Sequence, residues 1–541
     1  MIAYAQSHSS QSKDVPPSRK ASTMRITLRS LLIGFGGISL VFVYSSLPEV
    51  SVLVPLLYIA LTLISLKFDR FPLYNMFIVI TLIKFFQVPD FDIYTGDVIG
   101  TSFRFAIQSH PVLKYADEVA LILCFQTILF KTAFFLKAPR YFKSLRIGRF
   151  VKIYVAVVLL SALVNAVSVS NVAYYFPNWL RAFIVLGYMF IIPWSEVQIK
   201  RLAQFLITLA FAFQLVGSTV VNWPRLLSGR FSWIDDFTGT FMFPLCEWAA
   251  FLLGISIFMF LGEYFASKRA RYVILALIAF VGIISASVGT MTIILIVSLV
   301  FFFGLVFIVP QRFGLVQIKN RLAIFAGALA FASIVILFLN LSGESSEKVN
   351  VVSYGQYMLE KRVFGVSSVK EIPKILAYYN LVVAITHGEI NPLWGAGPAM
   401  YLSGIGAWLG DSRLVDKYST EAMYAGESSG QAESQQISIV GLFGELGILG
   451  LFAFLGLLGT VWLNVWRKRR TVFQSEWHGL LIGTLGSYIF LMLYSLIQSP
   501  FDGWVEVLYI VTFSGCLLIV TYIRKFGVSY PAWKSVEWVK T

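Results

Sequence analysis

Apolar residues in this chain run in long blocks separated by short clusters of charge, rather than in periodic stripes. A helix that crosses a bilayer needs roughly 20 apolar residues to span about 30 Å of hydrocarbon. Measured that way, the blocks predict fourteen spans, near 31–47, 50–66, 71–88, 115–136, 151–168, 179–195, 202–221, 244–263, 272–287, 290–309, 322–340, 437–465, 479–497 and 504–523. The pattern divides the chain into a leader (1–30), eleven spans (31–340), a large connecting loop (341–436), three more spans (437–523) and a tail (524–541). The stretch 272–309 is too long for one crossing, since its helix would run to about 57 Å. Small residues and Gly289 between Ser285 and Thr290 predict a break into two spans joined by a tight hairpin. No small-x-small cleavage pattern follows the first block, which is therefore read as a helix and not as a secretion signal.

Composition agrees. Of 541 residues, 57% are hydrophobic and 13% charged, too few charges to cover a water-facing surface. The fold class expected is all-α and polytopic in a membrane. Net charge is +15, which on a soluble protein suggests nucleic acid, but its distribution points elsewhere. Bases fall in alternate connections: the leader, Lys67/Arg70, 137–152, Lys200/Arg201, Lys268/Arg269/Arg271, Arg312/Lys319/Arg321 and Arg467–Arg470. These segments hold 25 of the 43 basic residues, as the positive-inside rule requires of cytoplasmic loops, with both termini cytoplasmic. Orientation thus accounts for most of the excess and leaves no call for nucleic acid. Cys124, Cys246 and Cys516 each sit in an apolar block, and the four histidines are scattered, so neither a disulfide framework nor a metal site is legible.

The outer segments left for chemistry are 89–114, 169–178, 222–243 and 341–436. The last is long for a connector and is expected to be largely ordered. Pro373 can open a helix, with Ile375, Leu376, Tyr379, Val382 and Val383 at helical spacing, predicting an amphipathic helix over 373–387 that lies over the membrane mouth. After it comes His387-Gly-Glu389-Ile-Asn391-Pro392-Leu-Trp-Gly395-Ala-Gly397-Pro398. Asn-Pro and the two glycines mark a tight turn, either plain or one whose amides cradle an anion. His387 and Glu389 are solvated loop residues or proton carriers. Glu445, in Gly441-Leu-Phe-Gly444-Glu445-Leu-Gly447-Ile-Leu-Gly450, is a carboxylate at the start of an apolar block, expensive there unless paired or facing water. Its role is either a helix-to-helix hydrogen bond or chemistry. The glycines every third residue let this helix bend or pack closely. Arg181 and Glu247 are further charges inside spans, and Arg225, Arg230, Asp235 and Asp236 lie in 222–243. Arginines converging from separate loops suit a diphosphate, whose oxygens match the guanidinium fork. With no GxxxxGK[ST] loop, Rossmann pattern, heme motif or HExxH, no cofactor is called for.

Three of these segments together resemble the O-antigen polymerase and O-antigen ligase superfamily of bacterial envelope glycan assembly. Arg230 followed by Gly239-Thr240-Phe241-Met242-Phe243-Pro244 resembles its Arg then Gly-Thr-Phe-x-Asn-Pro pattern. Pro392-Leu393-Trp394-Gly395-Ala396-Gly397 resembles its Pro-Leu-x-Gly-x-Gly turn, and Glu445-Leu446-Gly447-Ile448-Leu449-Gly450 its Glu-x-Gly-x-x-Gly helix opening. The ordered set covers about 220–470. Departures are Gln435-Gln436 where ligase-type members carry a histidine, Lys374 and Arg362 near the place of a loop arginine, and Ser285-Ala286-Ser287 in place of a Ser-Arg hairpin.

The resemblance implies a GT-C-like glycosyltransferase architecture in the bacterial inner membrane, with 341–436 periplasmic. It implies transfer of a growing glycan from a polyprenyl diphosphate to another lipid-linked repeat unit, without metal or ATP. Implied partners are a polyprenyl-diphosphate-linked oligosaccharide, the bilayer, a chain-length regulator and a flippase. Arg230, Arg362, Lys374, Arg413 and Arg181 are the candidates for binding diphosphate, and His387, Glu389 and Glu445 for taking the acceptor's proton. The missing histidine favours polymerase over ligase. A transporter or flippase is the alternative of a different class, without the inverted repeat such proteins show.

Overall fold

The computed structural model describes residues 73, 75–77, 79–80, 116–130, 145–215, 246–285, 289–308, 375–401, 414, 437–473, 475–498, 501 and 505–526. These residues are mostly helical and contain no strand, only the single bridge between Asn391 and Gly395. In chain order the helices are α1 (Ala116–Phe130), α2 (Ile147–Val164), α3 (Val169–Met189), α4 (Glu196–Ile207, continued by a π-helical turn Thr208–Phe213) and α5 (Cys246–Ser267). They continue with α6 (Ala270–Ser285), α7 (Gly289–Ile308), α8 (Ile375–Thr386), α9 (Ser438–Phe473), α10 (His478–Tyr494) and α11 (Val505–Phe526). Four are long and apolar enough to cross a membrane, over Ile147–Val164, Ala249–Ser267, Ser438–Arg469 and Val505–Phe526. This is a helical membrane protein. The expected spans 31–47, 50–66 and 322–340 lie outside the described residues, as does most of 71–88.

The expected break in 272–309 is present, with α6 ending at Ser285 and α7 beginning at Gly289. Both run beside α5: Gly282 of α6 sits against Leu253, whereas Phe302 and Phe303 of α7 meet the Phe265 ring tilted and edge-on at the other end of α5. The chain therefore doubles back between them. Two boundaries differ from expectation. Helix α3 begins at Val169, so 169–178 is helix and not a connecting segment. Ser168 caps it by accepting from the Asn171 amide, and Asn171 and Tyr175 are buried, so packing carries the helix through Pro177. Helix α9 extends to Phe473, placing Arg467–Arg470 on its last turns, where cations meet the negative end of the helix dipole.

Glycine sets the tightest packing. A methyl group added at Gly262 of α5 would strike the Gly479 carbonyl and the Gly483 amide of α10, and one at Gly483 would lie 2.7 Å from Met259 Cα. Backbones meet directly through Gly479-x-x-x-Gly483, the small-residue spacing by which helices associate in lipid, where no hydrophobic force draws them together.

The bundle has two distinct ends. At one, Asn464 Nδ2 donates to Leu145 O (2.7 Å), Lys200 pairs with Glu476 (2.5 Å), and Arg524 with Glu196 (2.5 Å), which also accepts from Trp477 Nε1 (2.8 Å). At the other, Ser161 meets Trp394 and Ser438 N donates to Gln498 O (3.1 Å). The basic connections 145–152, 196–201 and 467–477 share the first end, and the 387–401 turn lies at the second.

Candidate functional site

Helix α8 forms inside the 373–387 stretch, but the face it buries is not the expected one. Ala377, Asn380, Leu381 and Ala384 pack inward, while Tyr379 (60% exposed) and Val382 (57%) face out. Both faces of this helix are apolar, and the small Ala377 and Ala384 allow the closer approach to Tyr401, Ile437 and Val440. Tyr378 Oη donates to Leu496 O (2.5 Å), tying α8 to the end of α10, and burial pushes this phenol up from its usual pKa.

The turn after α8 is built by its sequence. Asn391 Oδ1 accepts from the Leu393 amide (2.8 Å) and the Trp394 amide (3.3 Å), and Gly395 N donates to Asn391 O (2.7 Å). Gly395 (φ 73°) and Gly397 (φ 110°) occupy backbone conformations that disfavour a side chain.

This turn docks into a break in α9. At Gly447 the backbone leaves the helix (φ 65°, ψ −167°), so the ladder of bonds from residue i+4 to residue i stops there. Three of the freed groups find partners in the turn: Ala396 N donates to Gly444 O (2.8 Å), Gly397 N to Glu445 O (2.9 Å), and Ile448 N to Pro392 O (2.9 Å). Ser161 of α2 closes the junction, donating from Oγ to Trp394 O (2.6 Å) and lying 3.2 Å from Glu445 O. A methyl at Gly395 would collide with the Glu445 backbone, one at Gly447 with Leu393, one at Gly444 with the Tyr401 ring and one at Gly397 with Val167. The turn and the glycine-rich opening of α9, separate in sequence, are thus one structure. Of the two readings of this turn the plain one fits the bonding, because the amides of residues 393–395 are held within the turn and those of Ala396 and Gly397 by α9.

Glu445 is fully buried under this junction. Its carboxylate and the Tyr154 hydroxyl face the Tyr175 hydroxyl, so α2, α3 and α9 each bring one polar side chain to a common point. Aromatic rings floor it: Trp179 meets Tyr175 at 5.7 Å and Phe454 at 5.1 Å between centroids, and Tyr154 meets Phe454 at 5.4 Å. Arg181, 2% exposed, lies six residues beyond Tyr175 on α3, about 9 Å along the axis, and donates to Asn178 Oδ1 (3.3 Å). His387 is exposed at the end of α8, its amide donating to Val383 O (2.9 Å), and Glu389 is half-buried just before the turn. Arg230, Arg362, Lys374 and Arg413 lie outside the described residues.

Sequence reasoning missed Ser161, Tyr154 and Tyr175. A serine and two tyrosines in apolar blocks carry no signal of their own, because each acquires its role from a residue hundreds of positions away. No protein-family model matches the chain, and no curated protein matches it either.

Proposed function

We propose that this chain is a glycosyltransferase of the inner membrane that polymerises polyprenyl-diphosphate-linked repeat units into a surface or extracellular polysaccharide. In this reading fourteen spans adopt a GT-C-like arrangement, both termini are cytoplasmic, and 341–436 forms a periplasmic lid. The observation that carries it is the docking of the Asn391–Pro398 turn on the α9 break over a buried carboxylate. Two of the three motifs that prompted the resemblance build one junction, with an acid at its centre. The grouping of basic connections at the end opposite the turn supports the orientation.

The reaction balances without ATP. An acceptor hydroxyl attacks the anomeric carbon of the donor glycan, the bond from that carbon to the diphosphate oxygen breaks, and the electron pair leaves with the diphosphate. Arg230, Arg362, Lys374, Arg413 and Arg181 are the candidates to stabilise that leaving charge. The acceptor's proton goes to a carboxylate or imidazole. His387 is exposed, Glu389 is half-buried, and in this reading Glu445 is reached once the turn lifts from α9. Of the three, Glu445 is the one whose surroundings are organised by other helices, and it is assigned the proton.

Cells lacking this chain are expected to accumulate single lipid-linked repeat units and make no long polysaccharide, read as glycan size on a gel. Long chains persisting unattached at the surface would instead identify a ligase, and repeat units retained on the cytoplasmic leaflet a flippase.

A further inference from the structure

Helices α2 and α9 run antiparallel, α2 leaving the end of the bundle that carries the basic connections and α9 arriving at it. Asn464 Nδ2 donates to Leu145 O (2.7 Å), the Phe150 ring lies 3.0 Å from where a Cβ on Gly456 would stand, and Tyr154 meets Phe454 at 5.4 Å between centroids. This pairing sets two basic runs side by side. Arg146 follows Leu145 directly, and Arg467 lies about one turn beyond Asn464. From 137 to 152 and from 460 to 475 the sequence holds ten Lys and Arg and no Asp or Glu. Elsewhere at this end Lys200 and Arg524 have carboxylate partners in Glu476 and Glu196. Arg146, Arg149, Lys152 and Arg467 are exposed and have none among the described residues. Like charges gathered this way repel, and an anion from outside the chain relieves the repulsion. Arg146 adds a backbone cost, at φ 59° in the left-handed region.

The surface beside these cations suits an anion with an apolar part. Ile153 stands four residues after Arg149, and Leu463 four before Arg467, so on each helix an exposed apolar side chain lies one turn inward of the cation on the same face. Between them the Phe150 ring rests on Gly456, and Gly459 leaves space along α9, since a methyl there meets nothing within 4 Å. Trp462 and Trp466 stack on α9 at 5.7 Å between centroids, with the Arg469 guanidinium 4.3 Å over the Trp466 ring. That is the arrangement expected where a helix passes from hydrocarbon into headgroups. A free phosphate or an acidic peptide would use the cations alone, whereas a phospholipid uses both parts.

We propose that the seam of α2 and α9 at the basic end of the bundle binds an anionic phospholipid of the surrounding bilayer. Arg146, Arg149 and Arg467 hold its phosphate, whose oxygens match the guanidinium fork, and an acyl chain lies along Ile153, Phe150 and Leu463. The site goes beyond the polymerase reading and stands whichever reaction the chain performs.

Full-length protein in a neutral detergent is titrated with phosphatidylglycerol, phosphatidylcholine or inorganic phosphate. Bound lipid is counted by native mass spectrometry, and melting temperature is read in parallel. Phosphatidylglycerol is expected to stay bound and raise the melting temperature, and the other two to do neither. Arg146→Gln with Arg467→Gln, one cation from each helix, is expected to weaken phosphatidylglycerol binding about 25-fold, at about fivefold for each base removed beside an anionic lipid. Arg201→Gln with Arg269→Gln removes the same charge at the same end but away from the seam, and is expected to bind as wild type. Three results each overturn the proposal: wild-type protein that releases phosphatidylglycerol as readily as phosphatidylcholine, an equal loss in the control pair, or inorganic phosphate that stabilises as well as the lipid. Should the seam pair melt early without lipid, Arg149→Gln, at an exposed position one turn into α2, takes its place. A loss of about fivefold is then expected, and unchanged affinity overturns the proposal.

Discussion

Replacing Gly447 with alanine tests the junction at its hinge. The conformation at φ 65°, ψ −167° is nearly confined to glycine, and imposing it on alanine costs about 1–3 kcal/mol. The new methyl would also run into the carbonyl group of Leu393, which is backbone and has little room to give. Helix α9 has a way out: if residue 447 turns helical, Ile448 N returns to Gly444 O and the next amide to Glu445 O. That straightening evicts Ala396 N, Gly397 N and Pro392 O, the groups that now occupy the break. The helix regains two bonds and the junction loses three, a net loss of about 1 kcal/mol, so the glycine conformation decides the balance. Shifting it by about 2–3 kcal/mol changes the ratio of docked to undocked turn by roughly 30- to 150-fold. Hydrogen-exchange mass spectrometry on the purified protein reads this directly, as faster exchange in a peptide spanning 391–400. Gly459→Ala is the control, since a methyl there meets nothing within 4 Å and lies on the same helix. Exchange in 391–400 that matches wild type in Gly447→Ala would refute the argument that the glycine break holds the turn.

Gly483→Val inserts bulk where a Cβ already lies 2.7 Å from Met259 Cα and Sδ, and it is expected to destabilise by about 1–3 kcal/mol, seen as a lower melting temperature in detergent. Gly304→Ala, with nothing within 4 Å of its Cβ, is expected to melt as wild type. Glu196→Gln removes a partner of Arg524 where the two side chains are 30% and 27% exposed, so the loss is expected to stay below about 1 kcal/mol and to shrink at high salt in the same melting assay. Arg230→Ala and Arg362→Ala are each expected to abolish polymer while protein level stays normal, measured by glycan gel and immunoblot; full activity in both removes the proposed diphosphate site.

The helical, membrane-spanning character of the chain was legible because the bilayer imposes a length. The stretch 272–309 was too long for one helix, and the structure divides it at Ser285 and Gly289. Where length and hydropathy stop discriminating, legibility stops too. Helix α8 is apolar all round, so spacing pointed to Tyr379 and Val382 while packing chose the smaller Ala377 and Ala384. The start of α3 was hidden because Asn171, Asn178 and Arg181 lower its hydropathy, although burial holds Asn171 and Arg181 inside. At the site, the glycine run showed that α9 could bend, but not that Gly447 was the hinge or that the turn fills it. The meeting of Ser161 with Trp394 and Glu445 is a property of helix placement, which no local pattern encodes.

The junction also constrains how the protein is made. Ser161 and Glu445 are 284 positions apart, so α2 and α3 are made long before α9 exists. Until synthesis reaches α9, the 391–398 turn, although already made, has no break to dock into, and Ser161 has no Glu445 carbonyl to meet. The first half of the chain is then a provisional assembly, completed from its C-terminal side.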